Sequence, residues 1–115
     1  MKNTVSIKKN RDFRFLYRKG KNAVTPVLAM YARKYKNASN RIGITVSTKV
    51  GKAVVRNRVR RRIREAYRLN EMRFKTGFDI IVVARVRASE VAYSEIEKNL
   101  LKLAGSLGIL SEEQK

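Results

Sequence analysis

The stretch Ala53-Val54-Val55-Arg56-Asn57-Arg58-Val59-Arg60-Arg61-Arg62-Ile63-Arg64-Glu65-Ala66-Tyr67-Arg68-Leu69-Asn70-Glu71-Met72-Arg73 decides how the rest of the chain is read. Val55, Val59, Ile63 and Ala66 recur at three- and four-residue steps, so a helix over this stretch carries one apolar stripe. Its opposite face carries Asn57, Arg60, Arg61, Arg64 and Arg68. Between Lys49 and Arg68 stand nine basic side chains (Lys49, Lys52, Arg56, Arg58, Arg60, Arg61, Arg62, Arg64 and Arg68) and one acid, Glu65. A helix face that is merely solvated mixes charge signs, because opposite charges four residues apart support the helix. Arg60, Arg64 and Arg68 instead place like charges at that spacing, a column that repels itself until an anion neutralises it. Arginine outnumbers lysine, which suits bidentate phosphate contacts and stacking on bases. The expected role of this helix is to bind phosphates.

The whole chain points the same way. Its 115 residues suit one domain, expected over 1–115, with a tail after about residue 110 that need not be ordered. The 28 Lys and Arg against 9 Asp and Glu give a formal net charge of +19, which favours a polyanionic partner through counterion release. Charge alone leaves RNA, DNA and an anionic membrane surface open. Cysteine and histidine are both absent, which removes disulfides, thiolate zinc sites and the commonest general base. The longest apolar runs, such as Ile80–Ala84, fall far short of a membrane span. The basic start MKNTVSIKKN has no apolar stretch behind it and does not read as a signal peptide, so a soluble cytoplasmic protein is expected.

Outward from the basic helix, the periodicity changes. Arg41–Ser47 alternates as a strand, with Ile42, Ile44 and Val46 inward and Gly43, Thr45 and Ser47 outward. Val27–Tyr35 alternates likewise, with Leu28, Met30 and Ala32 inward and Ala29, Tyr31 and Arg33 outward. Lys36–Asn40 reads as a turn, and Lys21–Val24 as a short extra strand. Asn10–Lys19 reads as a helix capped by Asn10, with Asp12 in its first turn and Gly20 as its stop. Phe13, Leu16 and Tyr17 share one of its faces and Phe15 points elsewhere. Asp79–Arg85 is an almost unbroken β-branched run, the mark of a central strand buried on both sides. The last helix is expected from Ser94, with Ser94 and Glu97 as a capping box and Ile96, Leu100, Leu103 and Leu107 as its stripe. Five of the nine acids, Glu90, Glu95, Glu97, Glu112 and Glu113, lie in this last quarter, so one surface is strongly basic and another milder. The pattern predicts an α+β domain with a small sheet.

The string Ala53-Val54-Val55-Arg56-Asn57-Arg58-Val59-Arg60-Arg61-Arg62-Ile63-Arg64 resembles the signature of the bacterial ribonuclease P protein family. That signature is an alanine, two residues, an Arg-Asn-Arg core, an aliphatic, two basics and a further aliphatic–basic pair. Ala53, Arg56, Asn57, Arg58, Val59, Arg60, Arg61, Ile63 and Arg64 all match it. The likeness extends to Asp12-Phe13 with Tyr17 and Gly20, to Arg41–Ile44 with Val46-Ser47, and to Asp79–Arg85. It implies an α+β sandwich related to a ribosomal-protein domain, in the order α-β-β-(β)-α-β-α, with a small mixed sheet and a left-handed βαβ crossover. The usual handedness rule taken alone predicts a right-handed connection.

The resemblance also implies a function. The holoenzyme is an endoribonuclease that removes the 5′ leader from precursor tRNA. Its catalyst is an RNA subunit holding most of the Mg²⁺, and the protein is an accessory subunit without catalytic residues or a stable metal of its own. The implied partners are the ribonuclease P RNA and precursor tRNA, with no membrane and no obligate protein partner. Lys49, Lys52, Arg56, Asn57, Arg58, Arg60, Arg61, Arg64 and Arg68 are the implied contacts to the catalytic RNA. Phe13, Tyr17 and Tyr31 match the positions of a cleft for the single-stranded leader, with Arg33 placed beside them. Stacking of bases on aromatic faces next to cations is how unpaired RNA is gripped, and small Gly43 and Thr45 are expected to leave room for it. From spacing alone, Phe13 and Tyr17 read as core residues and only the resemblance assigns them to the cleft, while Phe15 is an extra ring that competes for it.

The residues themselves offer no catalytic constellation. Phosphodiester hydrolysis calls for paired metal-holding carboxylates or a base, and the two aspartates, Asp12 and Asp79, sit on separate elements. Three other readings share the charge. A ribosomal or other structural RNA-binding protein of similar fold is the principal alternative. A DNA-reading helix lacks a helix-turn-helix partner, and a membrane-surface helix lacks Trp or Phe on a stripe that the core already needs.

Overall fold

The computed structural model describes residues 4–35 and 39–111. The expected turn at Lys36–Asn40 falls mostly outside them, as does the tail beyond Ser111. The elements run β1 (Thr4–Ser6), α1 (Asn10–Lys19), β2 (Lys21–Val24), β3 (Leu28–Lys34), β4 (Asn40–Val46), α2 (Ala53–Asn70), β5 (Phe78–Ala84) and α3 (Tyr93–Ser106). The strands form one mixed sheet in the order β1-β4-β5-β3-β2. β5 lies in the middle, parallel to β4 and antiparallel to β3. Its run Ile80-Ile81-Val82 is fully buried on both sides of the sheet, as a continuous apolar strand requires. Helix α2 is the crossover between the parallel neighbours β4 and β5.

The sheet separates two apolar layers. On one face Leu28, Met30, Ile42, Val46, Ile80 and Val82 pack against Val59, Ile63 and Tyr67 of α2 and Ile96, Leu100 and Leu103 of α3. On the other face Ile7, Leu16 and Ile81 form a smaller cluster with half-buried Phe13, Tyr31 and Val83, so α1 lies on the sheet side opposite α2 and α3.

Several expectations are corrected. β1 was not expected: it is three residues long and exists through parallel pairing with Asn40–Ile42, a long-range contact with no local signature. Asn10 and Ser94 are not caps. The helices begin from Lys9 and Ala92, no side chain caps either end, and the carboxylate of Glu97 accepts from Asn70 Nδ2 at 2.8 Å. The expected strands at 41–47 and 79–85 each begin one residue earlier, because Asn40 joins the two strand starts. Asn40 Oδ1 accepts from Phe78 N at 2.9 Å, while its Nδ2 donates to Lys75 O at 2.9 Å and to Tyr67 Oη at 3.3 Å. The helical stripe of α2 also runs further than its aliphatics. Tyr67 is fully buried and its hydroxyl lies 2.8 Å from Thr4 Oγ1, so the phenol keeps partners inside the core. Gly20 does stop α1, but at φ −76°, and it is required by crowding: a Cβ there would lie 2.7 Å from Leu16 O.

Candidate nucleic-acid interface

The basic helix folds with its stripe inward and its cations outward, as the spacing requires. Lys49 stands in the 3-10 turn Thr48–Val50 and Lys52 immediately precedes α2, both exposed. On α2, Asn57, Arg61, Arg64 and Arg68 are exposed, and Arg56, Arg58 and Arg60 half-buried. The like-charge column is partly broken. Glu65 receives Arg68 Nε and Nη2 at 2.9 and 2.7 Å, and that bond draws the Glu65 carboxyl below its usual range. Arg60 Nη1 donates to Asn57 Oδ1 at 2.9 Å, and among the described residues no carboxylate pairs with Arg60 or Arg64. The open anion-seeking groups of the column are therefore Arg60 and Arg64. Arg62, which belongs to the basic run but not to the expected site, donates to Val91 O at 3.2 Å and ties α2 to the segment before α3. Arg58, Arg61 and Arg62 meet Glu65 and Tyr93 along a separate cavity of about 430 Å³.

The three rings expected to line the aromatic cleft group together on the other face of the sheet. Leu16 anchors α1, and the helical step of about 100° per residue then puts Phe13 and Tyr17 on one flank and Asp12 and Phe15 on the other. The Tyr17 ring meets Tyr31 edge-on at 4.9 Å, and Phe13 lies 6.5 Å from Tyr17. Phe13 is thus the phenylalanine of this cluster. Two expectations change here. Gly43 and Thr45 do not hold space open for RNA. The Phe13 ring occupies the position above Gly43, where a Cβ would lie 2.6 Å from its Cζ, and Thr45 Oγ1 is hydrogen-bonded with Tyr17 Oη at 3.1 Å. The small residues seat the aromatic rings instead. Arg33 does not join the three rings either: its guanidinium lies 4.6 Å over Phe15, on the opposite flank of α1.

The basic and aromatic surfaces meet at the edge of β4. β1 pairs with β4 only as far as Ile42, so Gly43–Val46 has a strand neighbour on the β5 side alone. At that uncovered edge a cavity of about 130 Å³ is shared by Phe13, Gly43 and Ser6 with Arg60 and Arg64 of α2. One surface thereby runs from the guanidiniums of α2 to the rings of Phe13, Tyr17 and Tyr31. Such a surface can pair cations with phosphates and stack unpaired bases.

The two aspartates converge, but on a cation. Arg41 Nε and Nη2 donate to Asp79 at 2.8 and 2.6 Å, and Asp12 lies 3.6 Å from Arg41 Nη1. The bond to Asp79 pushes the guanidinium further towards its charged form. Among the described residues no three His, Cys, Asp or Glu side chains stand together as a metal site. No described helix is long and apolar enough to cross a membrane.

Comparison with known proteins shows which family the chain resembles over most of its length. The family model described as Ribonuclease P matches residues 1–108. The ribonuclease P protein component of Alkaliphilus metalliredigens is 44% identical over 111 residues, covering 96% of this chain and all of that protein. The Clostridioides difficile component is 46% identical over 101 residues, covering 87% and 89%. Among solved structures, the RNase P protein of Staphylococcus aureus superposes with a TM-score of 0.85 at 33% identity, covering 92% of this chain and 97% of that one. That of Thermotoga maritima gives 0.78 at 33% identity, covering 84% and 92%.

Proposed function

The chain belongs to the ribonuclease P protein family, and from that premise we propose how it serves the holoenzyme: α2 grips the catalytic RNA, and the Phe13–Tyr17–Tyr31 cleft holds the unpaired 5′ leader of precursor tRNA. The observation that carries this reading is the junction at the β4 edge, where Arg60 and Arg64 share a cavity with Phe13. A leader stacked on the rings keeps its phosphates within the field of the basic helix. Stacking tolerates any base, because every base has a π-face, and that suits a protein that must accept leaders of unrelated sequence. Mg²⁺, expected mainly on the RNA subunit, would supply the Lewis-acid chemistry of phosphodiester hydrolysis there. Among the described residues no three carboxylates stand together to hold that ion, and Asp12 and Asp79 are both engaged by Arg41. The role assigned to its residues is to bind and orient the RNA.

The test is affinity for two substrates by the reconstituted holoenzyme, one with a leader and one mature. Tyr31→Ala removes one ring from the cleft, and a base stack is worth about 1–3 kcal/mol, or roughly 5- to 140-fold. The weakening should fall on the leader-bearing precursor and spare mature tRNA. Equal weakening on both would remove the leader from this cleft.

A further inference from the structure

The flank of α1 that faces away from the aromatic cleft carries a second arrangement of rings and cations. Phe15 and Tyr35 are 41% and 37% exposed. Each is covered on one side by a guanidinium, Arg33 at 4.6 Å over Phe15 and Arg41 at 4.2 Å over Tyr35. The two pairs line one groove of about 520 Å³, together with Lys34, Asp12 and Asp79. Both carboxylates in it are engaged by Arg41, so Arg33 and Lys34 remain for an incoming anion. Past the Tyr35–Arg41 pair the surface continues into a second hollow of about 430 Å³, which brings in Lys8, Lys9 and Arg11.

We propose that the groove between Phe15 and Tyr35 is a second binding site for unpaired RNA nucleotides, distinct from the Phe13–Tyr17–Tyr31 cleft. Planar rings and planar guanidiniums stack on a base, and the flanking Arg33 and Lys34 hold its phosphates. An acidic peptide would use the cations but gain little from two exposed ring faces. The proposal rests on the chain acting within a ribonucleoprotein, and it concerns residues that the leader-cleft reading does not use. The nucleotide comes either from a distal part of the leader or from an unpaired segment of the catalytic RNA, and the two sources separate experimentally.

The test uses a Phe15→Ala, Tyr35→Ala double variant in the full chain, with Phe15→Tyr, Tyr35→Phe as a partner that keeps both planar rings. Affinity for the ribonuclease P RNA is measured directly. Affinity of the reconstituted holoenzyme is measured for precursors with short and long leaders. The alanine variant should bind at least about fivefold more weakly in one arm, and the ring-preserving variant should match the wild type. Weakening confined to the RNA subunit assigns the groove to the catalytic RNA, and weakening confined to long leaders assigns it to the distal leader. No change in either arm, or equal weakening in both variants, overturns the proposal. Tyr31→Ala run alongside reports separately on the leader cleft, so failure of that reading is not mistaken for failure of this one.

Discussion

Replacing Gly43 by alanine places a methyl group 2.6 Å from Phe13 Cζ, 2.7 Å from its Cε1 and 3.4 Å from Ile7 Cβ. Carbon atoms in contact normally stand about 3.5–4.0 Å apart, so the ring has to move by roughly 1 Å. Overpacking of this kind costs about 1–3 kcal/mol. The low end is expected, because Phe13 is half-buried and its ring can swing outward, whereas Ile7 is buried and cannot. Outward movement carries the ring into the small cavity shared with Arg60 and Arg64 and away from Tyr17. The variant should therefore be destabilised by about 1 kcal/mol and bind leader-bearing precursor about fivefold more weakly, with mature tRNA unaffected. Gly20→Ala is the control. Its Cβ meets the backbone oxygen of Leu16 at 2.7 Å, which cannot step aside, so stability falls while leader discrimination stays intact. Urea unfolding of the protein and equilibrium binding by the holoenzyme provide the two readouts. Adding Phe13→Ala removes the clash, so the Gly43→Ala, Phe13→Ala double variant should cost no more than Phe13→Ala alone. Wild-type stability together with wild-type leader discrimination in Gly43→Ala would refute the account of why that glycine is there.

Two further outcomes follow from the same surfaces. Changing Arg60, Arg61 and Arg64 together to alanine should lower the salt dependence of binding to the catalytic RNA by up to about 0.9 log units per log unit of salt for each phosphate left without its guanidinium, with the fold intact because none of the three is buried. An unchanged slope would move the RNA-binding surface off this face of α2. Burial raises the pKa of the Tyr67 phenol. The unfolded chain gives up that proton near pH 10 while the folded chain retains it, so stability contributed by the neutral phenol is full below about pH 10 and declines as pH rises towards the folded value. Tyr67→Phe should flatten that alkaline decline in denaturation curves taken from pH 8 upward, and an identical slope in the variant would contradict it.

Much of the fold is legible in the chain because its elements are strongly patterned. The stripe Val55, Val59, Ile63 and Ala66 faces the sheet as its spacing requires, and the β-branched run at 79–85 lies at the sheet's centre. What escapes the sequence is set by distant partners. β1 is defined by its register with Asn40–Ile42, and the strand starts at Asn40 and Phe78 by one buried amide. Asn10 and Ser94 have cap chemistry but sit one and two residues inside their helices, where local preference yields to packing. At the site, the residue types are legible and their grouping is not. Alternation puts Tyr31 and Arg33 on the same face of β3, yet helix α1 lies across that face and divides them. Tyr31 goes to Tyr17 and Arg33 to Phe15. Likewise Gly43 reads as space for a ligand until the Phe13 ring is seen above it. The helical wheel of α1 does carry that signal, since Phe15 stands about 160° from Tyr17.

Precursor cleavage with a cognate ribonuclease P RNA at low Mg²⁺, measured with and without the protein, decides whether this chain makes that RNA effective on precursor tRNA. The expected result is cleavage at the mature 5′ end that depends on the wild-type chain and is weakened by Tyr31→Ala. Cleavage equally poor with and without the protein would contradict it and leave a basic RNA-binding protein whose site serves another RNA.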